Sequence, residues 1–307
     1  MKVLKTGAAV ATAVVLALTA TACGGKEGSA GDAQAAKPGQ SGAPALPTYS
    51  VAGNVTLDSP VFSEAKKRGK LIIGSKADQP YLGFEDQATK KRSGFDVEIA
   101  KMIAADLGFG EDKIEWKTVD SGVRETAIST GQVDLYVGTY TINDKRKQLV
   151  GFAGPYYKAG ADLLVRKDET AITGPDTLQG KNVCSIVGST PLQEIKNPKY
   201  GAKTTELAKY SDCVQQLLTN QVDAVTTDDS ILKGYAAANS GKLKVIGKPF
   251  TQEPYGVGVN KDDKALRDFV NDSLEKHVKD GTYKKIYDGT LGLSGSAYVE
   301  PPAVVRY

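Results

Sequence analysis

The sequence is poor in the residues on which most metal and nucleophile chemistry depends. Its 307 residues hold three cysteines, one histidine, one tryptophan and two methionines. A zinc motif with two histidines is excluded, and a four-cysteine zinc site lacks a ligand. The chain contains no GxxxxGK[ST] phosphate loop and no G-x-S-x-G elbow. An excess of one charge sign is missing too: Lys and Arg total 39 against 36 Asp and Glu, a formal charge of +3. A near-neutral chain has no overall attraction for nucleic acid or acidic lipid. Hydrophobic residues make up 40%, enough for sizeable cores and too many for a wholly disordered protein. At roughly 150 residues per domain, the length fits two domains.

Lys2 and Lys5 precede an uncharged stretch over residues 6–22, rich in Ala, Val, Leu and Thr. Its most apolar part, residues 8–18, falls short of the roughly 20 residues that a spanning helix needs. A basic start, a short apolar region and small residues before a break describe a secretory signal over residues 1–22. The break, Ala20-Thr21-Ala22-Cys23-Gly24, resembles a bacterial lipobox, in which the cysteine is lipidated and becomes the first mature residue. Ala20 departs from that pattern, which usually has Leu or Val; an ordinary signal with an incidental cysteine is the alternative. Residues 23–49 read as a tether, built mostly of Gly, Ala, Ser and Pro up to Pro47, with Leu46 the only larger aliphatic there. Such a segment buries too little apolar surface to offset its ordering. As flexible coil it reaches roughly 25–30 Å, although a spacer of no functional length is also possible.

Beyond residue 50, short β-rich runs alternate with helical ones, the grammar of an α/β fold. Leu71-Ile72-Ile73-Gly74 reads as a strand. Phe95, Ile99, Met102, Ile103 and Leu107 mark one helix face that ends at Gly108. One phrase recurs: Gly131-Gln132-Val133-Asp134-Leu135 and Asn220-Gln221-Val222-Asp223-Ala224 each join a helix to a strand. Each strand then enters a polar stretch, Thr139-Tyr140-Thr141 and Thr226-Thr227-Asp228-Asp229. Ligands of open α/β sheets bind at such strand ends, so two similar lobes imply a cleft between them. Only Gln-Val-Asp is identical in the two copies, and coincidence is the competing explanation.

Gly94-Phe95-Asp96-Val97-Glu98-Ile99, Thr141-Ile142-Asn143-Asp144-Lys145-Arg146 and Gly151-Phe152-Ala153-Gly154-Pro155-Tyr156-Tyr157 occur in that order. Gly188-Ser189-Thr190, Asp223-Ala224-Val225 and Asp228-Asp229 follow. The series resembles extracellular solute-binding proteins, family 3, which serve importers of polar amino acids powered by ATP-binding subunits, the ABC importers. The resemblance covers about residues 60–290. It implies a periplasmic-binding-protein-like fold: two α/β lobes joined by a two-segment hinge, with the ligand cleft between them. Lobe 1 would be residues 50–160 plus 255–307, and lobe 2 residues 161–254. Asp96 itself suits a helix N-cap.

The resemblance places Arg146 on the ligand carboxylate, through the paired hydrogen bonds a guanidinium can make. Asn143 is the expected cap of its helix, with Lys145 and Lys147 as exposed neighbours. Thr141 would contact the ligand head group, and Thr139 would supply backbone groups. In the second lobe Ser189 and Thr190 open a helix whose free amides and hydroxyls face the cleft. Asp228 would receive the α-ammonium; Asp229 is the alternative, though it looks better placed as a helix N-cap. Lys76 and Arg124 correspond to positions where basic residues face an acidic ligand's side chain, unless both are surface cations. Tyr81 and Phe84 would line the apolar part of the pocket or simply pack in the core.

Once Cys23 is set aside, Cys184 and Cys213 remain as an even pair in an exported chain, which implies a disulfide; two buried free thiols are the alternative. His277 reads as a solvated helix residue. The expected protein is a lipid-anchored monomer on the outer face of a bacterial membrane. It would capture glutamate or aspartate and deliver it to membrane permease subunits. No cofactor, metal or nucleic acid is implied, since ATP belongs to the importer's own chains. A binder of glutamine or another polar amino acid is one alternative. An exported dehydratase of the same fold is another, as is a sensing module of a receptor.

Overall fold

The computed structural model describes residues 43–307. The expected signal 1–22, Cys23 and most of the expected tether lie outside the described residues. The end of that tether docks on the fold: Leu46 lies against Gly289, and Tyr49 Oη donates to Glu98 Oε2 at 2.8 Å. Helix α1 (Pro60–Arg68) shows how local sequence sets an element. Ser59 accepts from the Phe62 amide, a proline opens the first turn, and Gly69 leaves in the left-handed conformation. Ser59 Oγ also donates to Asp263 Oδ2 at 2.6 Å, tying this start to a helix 200 residues later.

The chain continues through β1 (Leu71–Ser75), β2 (Asp78–Gln79), β3 (Gly83–Glu85), β4 (Arg92–Ser93), α2 (Phe95–Asp106) and β5 (Ile114–Thr118). Next come α3 (Arg124–Ser129), β6 (Leu135–Tyr136), the one-turn α4 (Asp144–Lys147), β7 (Gly151–Ala159) and β8 (Ala161–Arg166). Then follow β9 (Asn182–Ile186), α5 (Thr190–Ile195), β10 (Lys203–Leu207), α6 (Tyr210–Leu218), β11 (Ala224–Asp228), α7 (Asp229–Ala238) and β12 (Leu243–Val245). β13 (Glu253–Val259), α8 (Lys264–Lys279) and α9 (Thr282–Gly289) complete the set.

Two five-stranded sheets result, β5-β1-β6-β13-β7 and β10-β9-β11-β8-β12. In each, three strands run parallel and a strand from the crossover region joins antiparallel. The chain passes between the sheets twice, from β7 to β8 and from β12 to β13. The crossings are laced together by Ala161 N on Thr251 Oγ1 (2.9 Å) and Phe250 N on the Ala161 carbonyl (2.8 Å). These are the two α/β lobes and the two-segment hinge.

The recurring phrase does the same work in both lobes. Asp134 N donates to the Ile72 carbonyl at 2.8 Å while Ile72 N donates to Asp134 Oδ2 at 2.7 Å. Asp223 and Asn182 exchange the equivalent pair, both at 2.8 Å. Each aspartate thus clamps the start of the neighbouring parallel strand, and Val133 and Val222 are both buried beneath. The matching bonds rule out coincidence as the whole account of the repeat.

In lobe 1 Phe95 packs edge-on against Tyr283 at 5.6 Å and against Tyr157 and Tyr287 at 5.8 Å. Burying a ring of that size contributes about 1.5–3 kcal/mol. In lobe 2 the disulfide Cys184–Cys213 joins β9 to α6 within the core. Residues after α9 lie along lobe 1, with Val305 N on the Gly154 carbonyl at 2.9 Å and the Tyr307 hydroxyl accepting from Phe152 N at 2.7 Å.

Three expectations need correction. Asp96 is not an N-cap: Gly94 occupies that position at φ 116°, and the Asp96 carboxylate turns inward to accept from Thr139 N and Tyr156 Oη. Asp229 is the first residue of α7 and not its cap; the cap position falls on Asp228. His277 is not merely solvated. Its Nε2 faces Asp106 Oδ2 at 2.9 Å and its Nδ1 faces Asp280 Oδ2 at 3.0 Å. Burial works against the Asp106 charge, but hydrogen bonds from His277, Lys276 and Ser273 hold its carboxyl down at about 2.

Candidate functional site

Lobe 1 brings three cations to one place. Asn143 caps α4 by accepting from Arg146 N at 2.9 Å, and the single turn points the Arg146 side chain inward. Its Nη1 donates to the Thr141 carbonyl (2.7 Å), and its Nε faces Glu125 Oε1 (3.2 Å). Lys145 is exposed as expected, but Lys147 is half-covered by the Tyr307 ring, 4.8 Å away. Arg124 opens α3 and lies 4.3 Å above the Tyr140 ring, a cation–π contact that Arg146 repeats at 5.0 Å. Lys76 follows β1, is 2% exposed and donates to Ser121 Oγ at 2.8 Å. Its burial, reinforced by Arg124, pushes the Lys76 ammonium down to about 8. Burial and the same neighbour bring Arg146 down to about 10.

The rest of the lobe 1 wall is placed by hydrogen bonds to the hinge strand. Thr141 bridges to Tyr255 of β13, flanked by Gly256 N on the Tyr140 carbonyl (2.9 Å) and Ile142 N on Pro254 (2.7 Å). Thr139 is held from both its amide and its hydroxyl. Its amide is engaged by Asp96 and its hydroxyl donates to Gln79 Oε1, so its own N–H has a protein acceptor. Tyr81 stands half-exposed at the edge of the cleft, with its backbone left-handed at φ 67°. Phe84 is half-buried in β3.

Lobe 2 supplies hydroxyls, a carbonyl and an anion. Ser189 caps α5, so its hydroxyl accepts from Leu192 N and donates to the Ile186 carbonyl rather than standing free as expected. Thr190 Oγ1 donates to Glu253 Oε2 at 2.6 Å and meets Thr141 Oγ1 across the cleft at 3.3 Å. Asp228 ends β11, 3% exposed, where Tyr255 Oη donates to its Oδ2 at 2.7 Å. Its Oδ1 is buried without a partner. Burial, and then the charge of Glu253, raises the Asp228 carboxyl well above its usual range. An ion of this kind calls for a cation beside it. The lobes meet where Arg146 Nη2 (2.9 Å) and Arg124 Nη2 (3.2 Å) both donate to the Gly188 carbonyl.

The arrangement holds apart a cationic corner and an anionic corner, within a fold that hinges between them. Residues 71–292 match the bacterial extracellular solute-binding proteins, family 3. The chain belongs to that family. It is 37% identical over 295 residues to the glutamate-binding protein GluB of Corynebacterium efficiens, covering 93% of this chain and 90% of the relative. It is also 37% identical to the glutamine-binding protein GlnH of Bacillus subtilis, over 72% of this chain and 81% of that one. Among solved structures it matches the ancestral amino acid-binding protein AncCDT-1, described as a precursor of cyclohexadienyl dehydratase. That match has a TM-score of 0.68 and 31% identity, covering 75% of this chain and 98% of the other.

Within this family 3 site, two acids went unseen in the sequence, the buried Glu253 and the half-buried Glu125. Glu253 opens β13 in the hinge and accepts from both Thr190 Oγ1 and Thr251 Oγ1. Glu125 is the Arg146 partner, one residue along from Arg124. Gln79 joins them, fully buried with its Nε2 unpartnered. The only signal for Gln79 was its place in the polar run Asp78-Gln79 after β1. For Glu253 the one local cue was Thr251 two residues earlier; its other hydroxyl partner, Thr190, depends on the fold. Among the described residues no group of His, Cys, Asp and Glu could hold a metal ion.

Proposed function

We propose that this protein captures an acidic amino acid, glutamate before aspartate, and hands it to the permease of an ABC importer. One observation carries the reading: the buried cations Lys76, Arg124 and Arg146 share a site with a buried Asp228 whose Oδ1 has no partner, and among the described residues only Arg146 of the three has an ion-pair partner, Glu125. An α-amino acid needs one cation and one anion; a second carboxylate on its side chain accounts for the remaining cations. In this reading Arg146 and Thr141 take the α-carboxylate, Asp228 the ammonium, and Lys76 and Arg124 the side-chain carboxylate. Tyr81, Thr139, Ser189 and Thr190 complete the walls. Lobe 1 comprises residues 50–160 with 255–307, and lobe 2 residues 161–254. The protein acts as a monomer, anchored through lipid on Cys23 at the outer face of the membrane.

Binding without catalysis is favoured because the two added acids are engaged: Glu253 by two hydroxyls and Glu125 by Arg146. Glutamine is the second reading, supported by the glutamine-binding relative. A thermal-shift panel of all twenty amino acids tests the proposal. A ligand at 1,000 times its dissociation constant stabilises by about 4 kcal/mol. Glutamate should give the largest shift; a larger shift with glutamine, or none with any amino acid, would overturn the assignment.

A further inference from the structure

Lobe 2 meets lobe 1 at two rims. At the first, Gly188 at φ 82° lies so close that a Cβ would stand 2.7 Å from Gly122 Cα and from the Ser121 carbonyl oxygen. That rim carries Arg124 and Arg146 and belongs to the site. The second rim involves no residue assigned to the ligand's charged groups. There Asp78, from β2, reaches the start of α6 in the other lobe. Lys209 holds the N-cap position of α6 and gives it no side-chain cap. Asp78 Oδ2 instead accepts from Ser211 N at 3.2 Å, and Tyr235 Oη of α7 donates to the Asp78 backbone carbonyl. First-turn amides lack intrahelical acceptors and sit at the positive end of the helix, so a carboxylate from the opposite lobe satisfies a donor that lobe 2 leaves open.

Beside this contact α7 presents Gly234. A Cβ there would collide with the Pro80 carbonyl oxygen and lie 3.4 Å from Pro80 C and 3.7 Å from the Tyr81 ring. All of those neighbours belong to lobe 1. Within its own lobe Gly234 occupies a helix interior, where alanine is the better residue. Packing in lobe 2 therefore gives no reason for glycine, whereas approach of the other lobe does.

The geometry points to Asp78 and Gly234 as affinity-determining residues that set how readily the lobes come together, neither of them assigned to touch the ligand. This rests on the solute-binding reading above. A ligand held by both lobes binds in proportion to the fraction of molecules that can bring them together, so a blocked rim raises the apparent dissociation constant for every ligand alike.

The test uses Gly234→Ala and Asp78→Ala in the full chain. Calorimetry and stopped-flow measure binding of whichever of the twenty amino acids wild type takes, and melting is followed without ligand. Each variant should lose tenfold or more in affinity, through faster dissociation, and Gly234→Ala should keep its ranking of amino acids. Ligand-free Gly234→Ala should melt at or above the wild-type temperature, so stability and affinity move in opposite directions. Wild-type affinity in both variants would overturn the inference while leaving the proposed function intact. So would a ligand-free melting temperature of Gly234→Ala that falls together with its affinity. If wild type binds no amino acid, the proposed function and this inference fall together.

Discussion

Lobe 1 and lobe 2 share a sheet plan and the aspartate clamp of Asp134 and Asp223, yet their strand ends carry opposite chemistry. Lobe 1 presents three buried cations on short helices and a strand end. Lobe 2 presents the buried Asp228, two hydroxyls and the Gly188 carbonyl, with the buried Glu253 at the hinge. The difference teaches that the frame and the site are separable. Residues that close a parallel sheet recur in both lobes, while those just past the strands differ in charge. The lobes are also braced differently, lobe 1 by an aromatic cluster around Phe95 and lobe 2 by a disulfide between β9 and α6.

The largest expected effect breaks the comparison at its poles. Arg146→Ala and Asp228→Ala should each abolish binding of every amino acid. Truncating one partner of a buried charge pair costs about 2–5 kcal/mol, enough to take micromolar binding to millimolar. Calorimetry would contradict the assignment of poles if either variant kept near-native affinity. Next in size is the brace. Cys184 and Cys213 are 29 residues apart, and chain entropy assigns such a loop roughly 3–4 kcal/mol. Reduction should lower the melting temperature, and local hydrogen exchange should rise in lobe 2 before lobe 1; uniform exchange would contradict a brace local to lobe 2.

A smaller effect follows from Asp96, whose carboxyl burial raises to about 6 despite bonds from Tyr156 and Thr139. A carboxyl raised in the fold binds protons more tightly there than in the unfolded chain. Its stabilising contribution is therefore fully present below about pH 4 and lost as pH rises through about 6, about 2–3 kcal/mol in all. Urea unfolding of wild type and Asp96→Asn across that range should show the slope flattened in the variant; parallel curves would contradict it. Smallest is the titration of Lys76. With its ammonium at about 8, glutamate affinity should fall about tenfold from pH 7 to pH 9 as the cation is lost. Glutamine affinity should change much less over the same range, and identical profiles would remove Lys76 from the side-chain subsite.

What the sequence made legible was local. Asn143 three residues before Arg146 and the proline after Thr190 each act within a few residues, and the paired Gln-Val-Asp phrases each mark a helix-to-strand joint; all take the expected place. What escaped depended on distant partners. Asp96 sits where an N-cap could be, but Tyr156, 60 positions away, draws its carboxylate inward. His277 lies in a charged helix that reads as exposed until Asp106 arrives from α2. Glu253 has only the nearby Thr251 hydroxyl as a local partner, and it joins the site because the fold brings Thr190 to it.

The most direct test of the central claim is calorimetric titration of wild type and Arg124→Ala with glutamate and with glutamine at pH 7. Wild type should bind glutamate more tightly. The variant should lose glutamate affinity by tenfold or more and glutamine affinity little, narrowing the gap between them. A wild-type preference for glutamine, or an equal loss of both ligands in the variant, would contradict the account.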